Sequence, residues 1–246
     1  MTAKLGEPDR IAPTQYVYDW YIYNKEGKHL RYAVLNQEVI GFYSNSLDVF
    51  SGGYNFKIGT DMKTTTNKII ASLGGSLGYF EEDEYIMQLF YDTHASGVVD
   101  AIFIMHSQGY SRGKRDLEAL YKAFEQGIFE ITNAYRIKHG VDPLTWSDLA
   151  RTSAYNHSKD MRINAYFDHD SLDGRSPFDR MKEVGITYAS AGENIAYGYG
   201  SDILVMDGWI NSAGHRQNLL YDHFTHLGVG VYDGYYTQNF YSPRNW

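Results

Sequence analysis

Between Leu227 and Phe240 the chain spells out a β-hairpin. Leu227, Val229 and Val231 alternate with Gly228 and Gly230, Asp233-Gly234 supplies a two-residue turn, and Tyr236, Gln238 and Phe240 alternate on the return. From Asp116 up to that hairpin the text is helical in period. Helices first and strands last point to an α+β sandwich.

The helical signals are specific. Leu117, Leu120, Tyr121, Phe124, Ile128, Ile131 and Tyr135 recur at three- and four-residue steps, and Gly140 stops the run. Ser147-Asp148 opens a second helix, with Leu149, Ser153, His157 and Met161 on one face; His157 there reads as a hydrogen-bonded core histidine. Ser176-Pro177-Phe178-Asp179 combines an N-cap, a proline at the first helical position and an acid at the third, and Gly185 ends that helix. Ser201-Asp202 caps a further helix through Trp209 and Ile210.

The first half reads differently. Leu5-Gly6 leads, 16 residues later, into Tyr21-Ile22-Tyr23, and Leu73-Gly74 leads by the same interval into Leu89-Phe90-Tyr91. Strands are expected over Tyr16–Tyr23, Ala33–Tyr43, Tyr85–Tyr91 and Val98–Met105. A short helix is expected over Lys63–Ser72, capped by Thr60 or Asp61. No such helix precedes the first Leu-Gly. The expectation is therefore that residue 1 falls inside a repeat unit, with a leader or anchor segment upstream. Polar text over Ser107–Gly113 divides the chain into a smaller mixed α/β domain of two repeat-like halves, residues 1–112, and a sandwich domain, residues 113–246.

Composition excludes several functions. Residues 1–112 hold 9 Lys+Arg against 13 Asp+Glu, and residues 113–246 hold 13 against 17, so neither half offers the basic excess of a nucleic-acid partner. With no cysteine, disulfides and thiolate metal sites are ruled out. No apolar run approaches the ~20 residues of a membrane span. Tyrosine is unusually frequent, 23 residues against 12 Phe, which suits half-buried sheets and polar-lined grooves.

The candidate chemistry rests on few residues. His169 stands in Phe167-Asp168-His169-Asp170-Ser171, Glu193 in Ala191-Gly192-Glu193-Asn194-Ile195, and His215 in Ser212-Ala213-Gly214-His215-Arg216. Two imidazoles and a carboxylate are a ligand set for a catalytic divalent metal, with a fourth position open to water. Their spacing is long, and each has a bland alternative: a turn for His169, a helix start for His215, a solvated turn before a strand for Glu193. No Gly-x-Ser-x-Gly elbow and no phosphate-binding loop is present.

Taken in order, five motifs resemble the CAP superfamily of cysteine-rich secretory, antigen 5 and pathogenesis-related 1 proteins, in its bacterial branch. They are His157-Ser158-Lys159-Asp160-Met161, Phe167–Ser171, Gly192–Ile195, Trp209–Arg216 and Tyr236–Phe240. The first half looks like the CAP-associated N-terminal domain found ahead of such modules. The resemblance implies an α-β-α sandwich with a central groove, lined in the family by two His and two Glu able to hold a divalent metal. His169 matches the first His and Glu193 the Glu of the Gly-Glu-Asn motif. The second Glu of the eukaryotic pattern falls near Ser212, and the second His on Tyr235, so both depart from it. The resemblance to the bacterial branch, through its Gly-His-Arg motif, implies His215 as the source of the missing imidazole.

The groove residues expected on this basis are His169, Glu193, Ser212, His215 and Tyr235. Glu193 is the candidate catalytic group, and His169, His215 and Glu193 are the candidate ligands of Zn, Mg or Ca. The leading functional expectation is a secreted or cell-surface bacterial binding protein for a small ligand, lipid or cell-envelope partner, with no enzymatic turnover. Its alternatives are a metal-dependent extracellular hydrolase or protease, and a structural module of the cell envelope or spore.

Overall fold

A computed structural model describes residues 6–25, 27–47, 58–61, 78–95 and 97–244. The chain forms two compact units, residues 1–120 and 121–246.

The described part of the N-terminal unit is built on a seven-stranded sheet of order β1-β2-β3-β4-β7-β6-β5, antiparallel throughout. Its strands are β1 (Arg10–Pro13), β2 (Asp19–Lys25), β3 (Lys28–Leu35), β4 (Glu38–Ser44), β5 (Tyr79–Glu82), β6 (Tyr85–Asp92) and β7 (Val98–His106). Two three-stranded meanders, β1–β3 and β5–β7, flank β4, which pairs with both β3 and β7. Tyr21-Ile22-Tyr23 lies in β2 and Leu89-Phe90-Tyr91 in β6, the same place in each meander. The helix expected over Lys63–Ser72, Leu5 and the Leu73-Gly74 pair lie outside the described residues.

The single strand expected over Ala33–Tyr43 is two strands. Asn36 and Gln37 both take positive φ, 50° and 68°, and reverse the chain so that Leu35 pairs with Glu38. The usual Asn-Gly signal is absent because Gln occupies the second position. Ile22, Ala33, Leu89 and Ile102 are buried, and so, less usually, are His29 and Arg31. Arg31 Nε donates to His29 Nε2 at 2.7 Å, so the His29 Nδ1–H is left to donate to Asn24 Oδ1. Burial, reinforced by Arg31, holds His29 well below the ordinary histidine value.

The C-terminal unit is a three-layer sandwich around a sheet of order β8-β10-β11-β9. Its strands are β8 (Thr145–Trp146), β9 (Tyr188–Tyr197), β10 (His226–Tyr232) and β11 (Tyr235–Pro243). Among the described residues the α-helices are α1 (Leu117–Lys138), α2 (Asp148–Ile163), α3 (Pro177–Glu183), α4 (Asp202–Ile210) and α5 (Ala213–Leu220). Ser147, Ser176 and Ser201 cap α2, α3 and α4 with their side chains, and Ser176 and Asp179 close a full capping box.

Alternation along β11 sends its side chains to two different layers. Thr237 meets Ser158 of α2 at 2.8 Å, whereas Gln238 donates to Thr132 of α1 at 3.0 Å. Helix α2 can lie against β10 only because that strand carries glycines. A Cβ on Gly228 would stand 1.9 Å from Arg151 N, and one on Gly230 would stand 2.0 Å from Tyr155 N. The alternation read from Leu227 to Val231 thus has a second meaning. Its valines fill the core, and its glycines set the separation of the layers.

Candidate functional site

Strand β9 positions the site. The Gly192-Glu193-Asn194-Ile195 stretch lies inside this strand, not in a turn before one, and it pairs with Gln238 and Asn239 of β11. Consecutive residues of a strand face opposite layers. Glu193 points toward α2 and α3, and Asn194 toward α5.

Glu193 is 7% exposed, and both oxygens of its carboxylate accept hydrogen bonds. Arg180 of α3, also buried, donates from Nη2 to Oε2 at 2.8 Å. His169 donates from Nδ1 to Oε1 at 2.9 Å. The Asn239 amide, oriented with its nitrogen toward the carboxylate, donates to Oε2 at 2.9 Å, while its oxygen accepts from Ser153 Oγ and the Ala154 amide. The carbonyl of Glu193 accepts from Asn218 Nδ2 at 3.1 Å. Such a set is what keeps a buried carboxylate tolerable.

Two histidines flank that carboxylate in different states. His157 is fully buried on α2, and its Nε2 lies 4.0 Å from Glu193 Oε1. Since a carbonyl only accepts, the 3.0 Å contact with Asp168 O means that Nε2–H donates, which anchors the loop carrying His169. Burial holds His157 below its ordinary value in spite of Glu193. The side chain of His169 is half exposed, and its hydrogen bond to Glu193 raises its value. The expected role of His157, a hydrogen-bonded core residue, matches this placement.

On the other face, Asn194 Nδ2 donates to His215 O and to Gln238 Oε1, while its Oδ1 accepts from Asn218. Through these bonds the strand fixes the first turn of α5. Ser212 stands at the N-cap of α5 yet makes no capping bond; its Oγ lies 2.8 Å from His215 Nδ1. Burial and the neighbouring His169 hold His215 below its ordinary value.

A cavity of about 600 Å³ opens between the 167–169 loop, the end of β9 and helices α4 and α5. His169, Ser212 and His215 line it, together with Asp168, Phe167, Tyr197 and Tyr199. Of the residues expected in the groove, Glu193 sits behind His169, and Tyr235 lies beneath Tyr197, their rings 4.5 Å apart, packed with Met161 and Ile195. Arg180, Asn218 and Asn239, which complete the Glu193 environment, were not among the candidates. Nothing in their local sequence marks them, since they converge only through the sheet register and the position of α3.

A divalent metal needs free ligand atoms gathered around one point. His169 uses Nδ1 and Glu193 uses both oxygens within the protein, and the ligand atoms of His169, Glu193 and His215 do not gather within 4.8 Å of one another. Glu193 would have to leave a buried arginine to ligate an ion. In this geometry, the three residues do not fit a metal.

Comparison with known proteins agrees with the fold. The family model described as "CAP: Cysteine-rich secretory protein family" matches residues 129–242, and the model described as "CAP-associated N-terminal" matches residues 1–79. A Bacillus subtilis relative named as the uncharacterized membrane protein YlbC is 34% identical over 279 residues, spanning 98% of this chain and 80% of the relative.

The chain belongs to the CAP family.

Its C-terminal part is also similar to the uncharacterized protein YkwD of Bacillus subtilis, 46% identical over 120 residues, 48% of this chain and 47% of that protein. Among solved structures, an extracellular SCP-domain protein from Bacillus anthracis superposes with a TM-score of 0.88 at 30% identity, covering 98% of this chain and 90% of that one. A cysteine-rich secretory protein from Staphylococcus aureus superposes with a TM-score of 0.78 at 19% identity, covering 98% and 88%, which speaks for the fold. No helix among the described residues is long and apolar enough to cross a membrane.

Proposed function

We propose that this CAP-family chain is a bacterial binding module working at the cell surface or outside it, whose groove holds a ligand without chemical turnover. The observation that carries the reading is the state of Glu193. A general base that activates water needs a free lone pair facing the substrate. Here both carboxylate oxygens already accept from Arg180, His169 and Asn239, and the group sits behind the groove wall and not facing the cavity. The cavity itself offers imidazole, hydroxyl and aromatic groups, a recognition surface of the usual kind. Similarity to one protein named as a membrane protein and to another described as extracellular supports placement at or outside the cell surface.

A titration of EDTA-treated protein with Zn²⁺, Mg²⁺ and Ca²⁺ tests this, run beside His169→Ala and His215→Ala and followed by melting temperature and by peptidase and esterase assays. The binding reading expects no saturable stabilisation by any ion and no turnover. Stabilisation by one ion, lost in both variants and accompanied by turnover, would replace it with a metal-dependent hydrolase.

A further inference from the structure

The groove carries a built aromatic ledge. Tyr197 is 59% exposed, yet one side of its ring is backed by Tyr235 at 4.5 Å, so the other side is held out toward the cavity. Phe167, half exposed, stands 6.4 Å from Tyr197 across the mouth. Tyr199 lies over α4 at Gly208, where a Cβ would come within 2.2 Å of its hydroxyl. Glycine within a helix costs about 1 kcal/mol relative to alanine. At Gly208 it makes room for the tyrosine ring, so the ring's position is specified and not incidental.

Beside the ledge stand hydrogen-bonding groups. The Nε2 atoms of His169 and His215 remain once each Nδ1 is used within the protein. Asp168 adds an exposed carboxylate among the lining residues. An acyl chain would leave these groups unpaired, which is costly. An extended peptide would seek the outer edge of β9, but the carbonyls of Glu193 and Ile195 there already accept from Asn218 and from Trp209 Nε1. Side chains thus close that edge to strand addition. The ligand that fits has apolar faces to lie on rings and hydroxyl edges to bond both imidazole and carboxylate.

Building on the binding reading above, we propose that the groove takes an uncharged oligosaccharide, whose sugar faces stack on Tyr197, Phe167 and Tyr199 while its hydroxyls bond Asp168, His169 and His215.

The test is a titration of the full chain with tetra-N-acetylchitotetraose, cellotetraose and maltotetraose, followed by tyrosine fluorescence and backbone amide shifts. At least one glycan should saturate, with shifts confined to residues 167–169, 195–199 and 212–215. Phe167→Ala and Tyr197→Ala should each weaken binding by about tenfold, the scale of one lost ring contact, and Tyr197→Trp should retain it. Melting temperatures of the variants separate lost binding from lost packing, since Phe167 is exposed. Silence toward all three glycans, or binding that neither alanine variant weakens, overturns the proposal. Saturable binding of oleate or of an unstructured peptide at the same resonances would overturn the saccharide assignment and leave the binding reading standing. Metal-dependent turnover would remove both.

Discussion

Glu193 and Arg180 are each less than a tenth exposed and hold one another at 2.8 Å, so neither can be removed alone without stranding the other. Glu193→Gln should destabilise the folded chain by about 3–5 kcal/mol, measured by urea unfolding. The joint replacement Arg180→Leu with Glu193→Leu should lose less than either single change, because no buried charge is left behind. His169 gives an independent reading of the same carboxylate. Its hydrogen bond to Glu193 raises its value, so the charged contact is present at acid pH and is lost as pH rises through the folded value. Followed by imidazole resonances, His169 should titrate above ordinary histidine in the wild type and return toward it in Glu193→Gln.

Elements meet through specific backbone choices. Strand β10 admits α2 only at Gly228 and Gly230, where an added Cβ would collide with backbone and not with a movable side-chain end. Gly228→Ala or Gly230→Ala should each cost about 3 kcal/mol or more, seen as a lowered melting temperature, and no neighbouring substitution should rescue it. The β3–β4 hairpin predicts the opposite sign. Gln37 holds φ at 68°, a conformation an L-residue resists and glycine adopts freely. Gln37→Gly, which completes the Asn-Gly turn, should stabilise by about 1 kcal/mol in the same assay. Hairpin loops are read from sequence by their glycines, and at this one the signal was missing.

At the scale of the molecule, each unit hides a histidine that burial keeps neutral, His29 in the N-terminal unit and His157 in the C-terminal unit. For a depressed histidine, the unfolded chain takes the proton first. Stability is therefore complete above the ordinary value near pH 6.5 and falls as pH drops below it. His169 contributes in the other direction but is half exposed and so is screened. Thermal unfolding scanned from pH 7.5 to 5 should move to lower temperature in both units. A melting temperature that rose toward acid would show that the raised His169 outweighs the two buried imidazoles.

Local chemistry made much of the C-terminal unit legible. Ser147, Ser176 and Ser201 start helices because their hydroxyls satisfy free backbone amides within the next turn, an interaction wholly contained in a few residues. The Leu227–Phe240 hairpin was readable for the same reason, and ordered motifs such as Phe167–Ser171 and Gly192–Ile195 carried the family. The meaning of Glu193 was not local. Arg180 lies 13 residues away and Asn239 46, and no spacing rule ties them together. Only the β9–β11 register and the seat of α3 bring their nitrogen atoms to one carboxylate. The sequence by itself determined where α2, α3 and α4 begin and where the closing hairpin turns. The tertiary structure decided that Glu193 is tied to Arg180, His169 and Asn239 behind the groove wall, because a buried carboxylate must find its hydrogen-bond donors among whichever groups the fold sets against it.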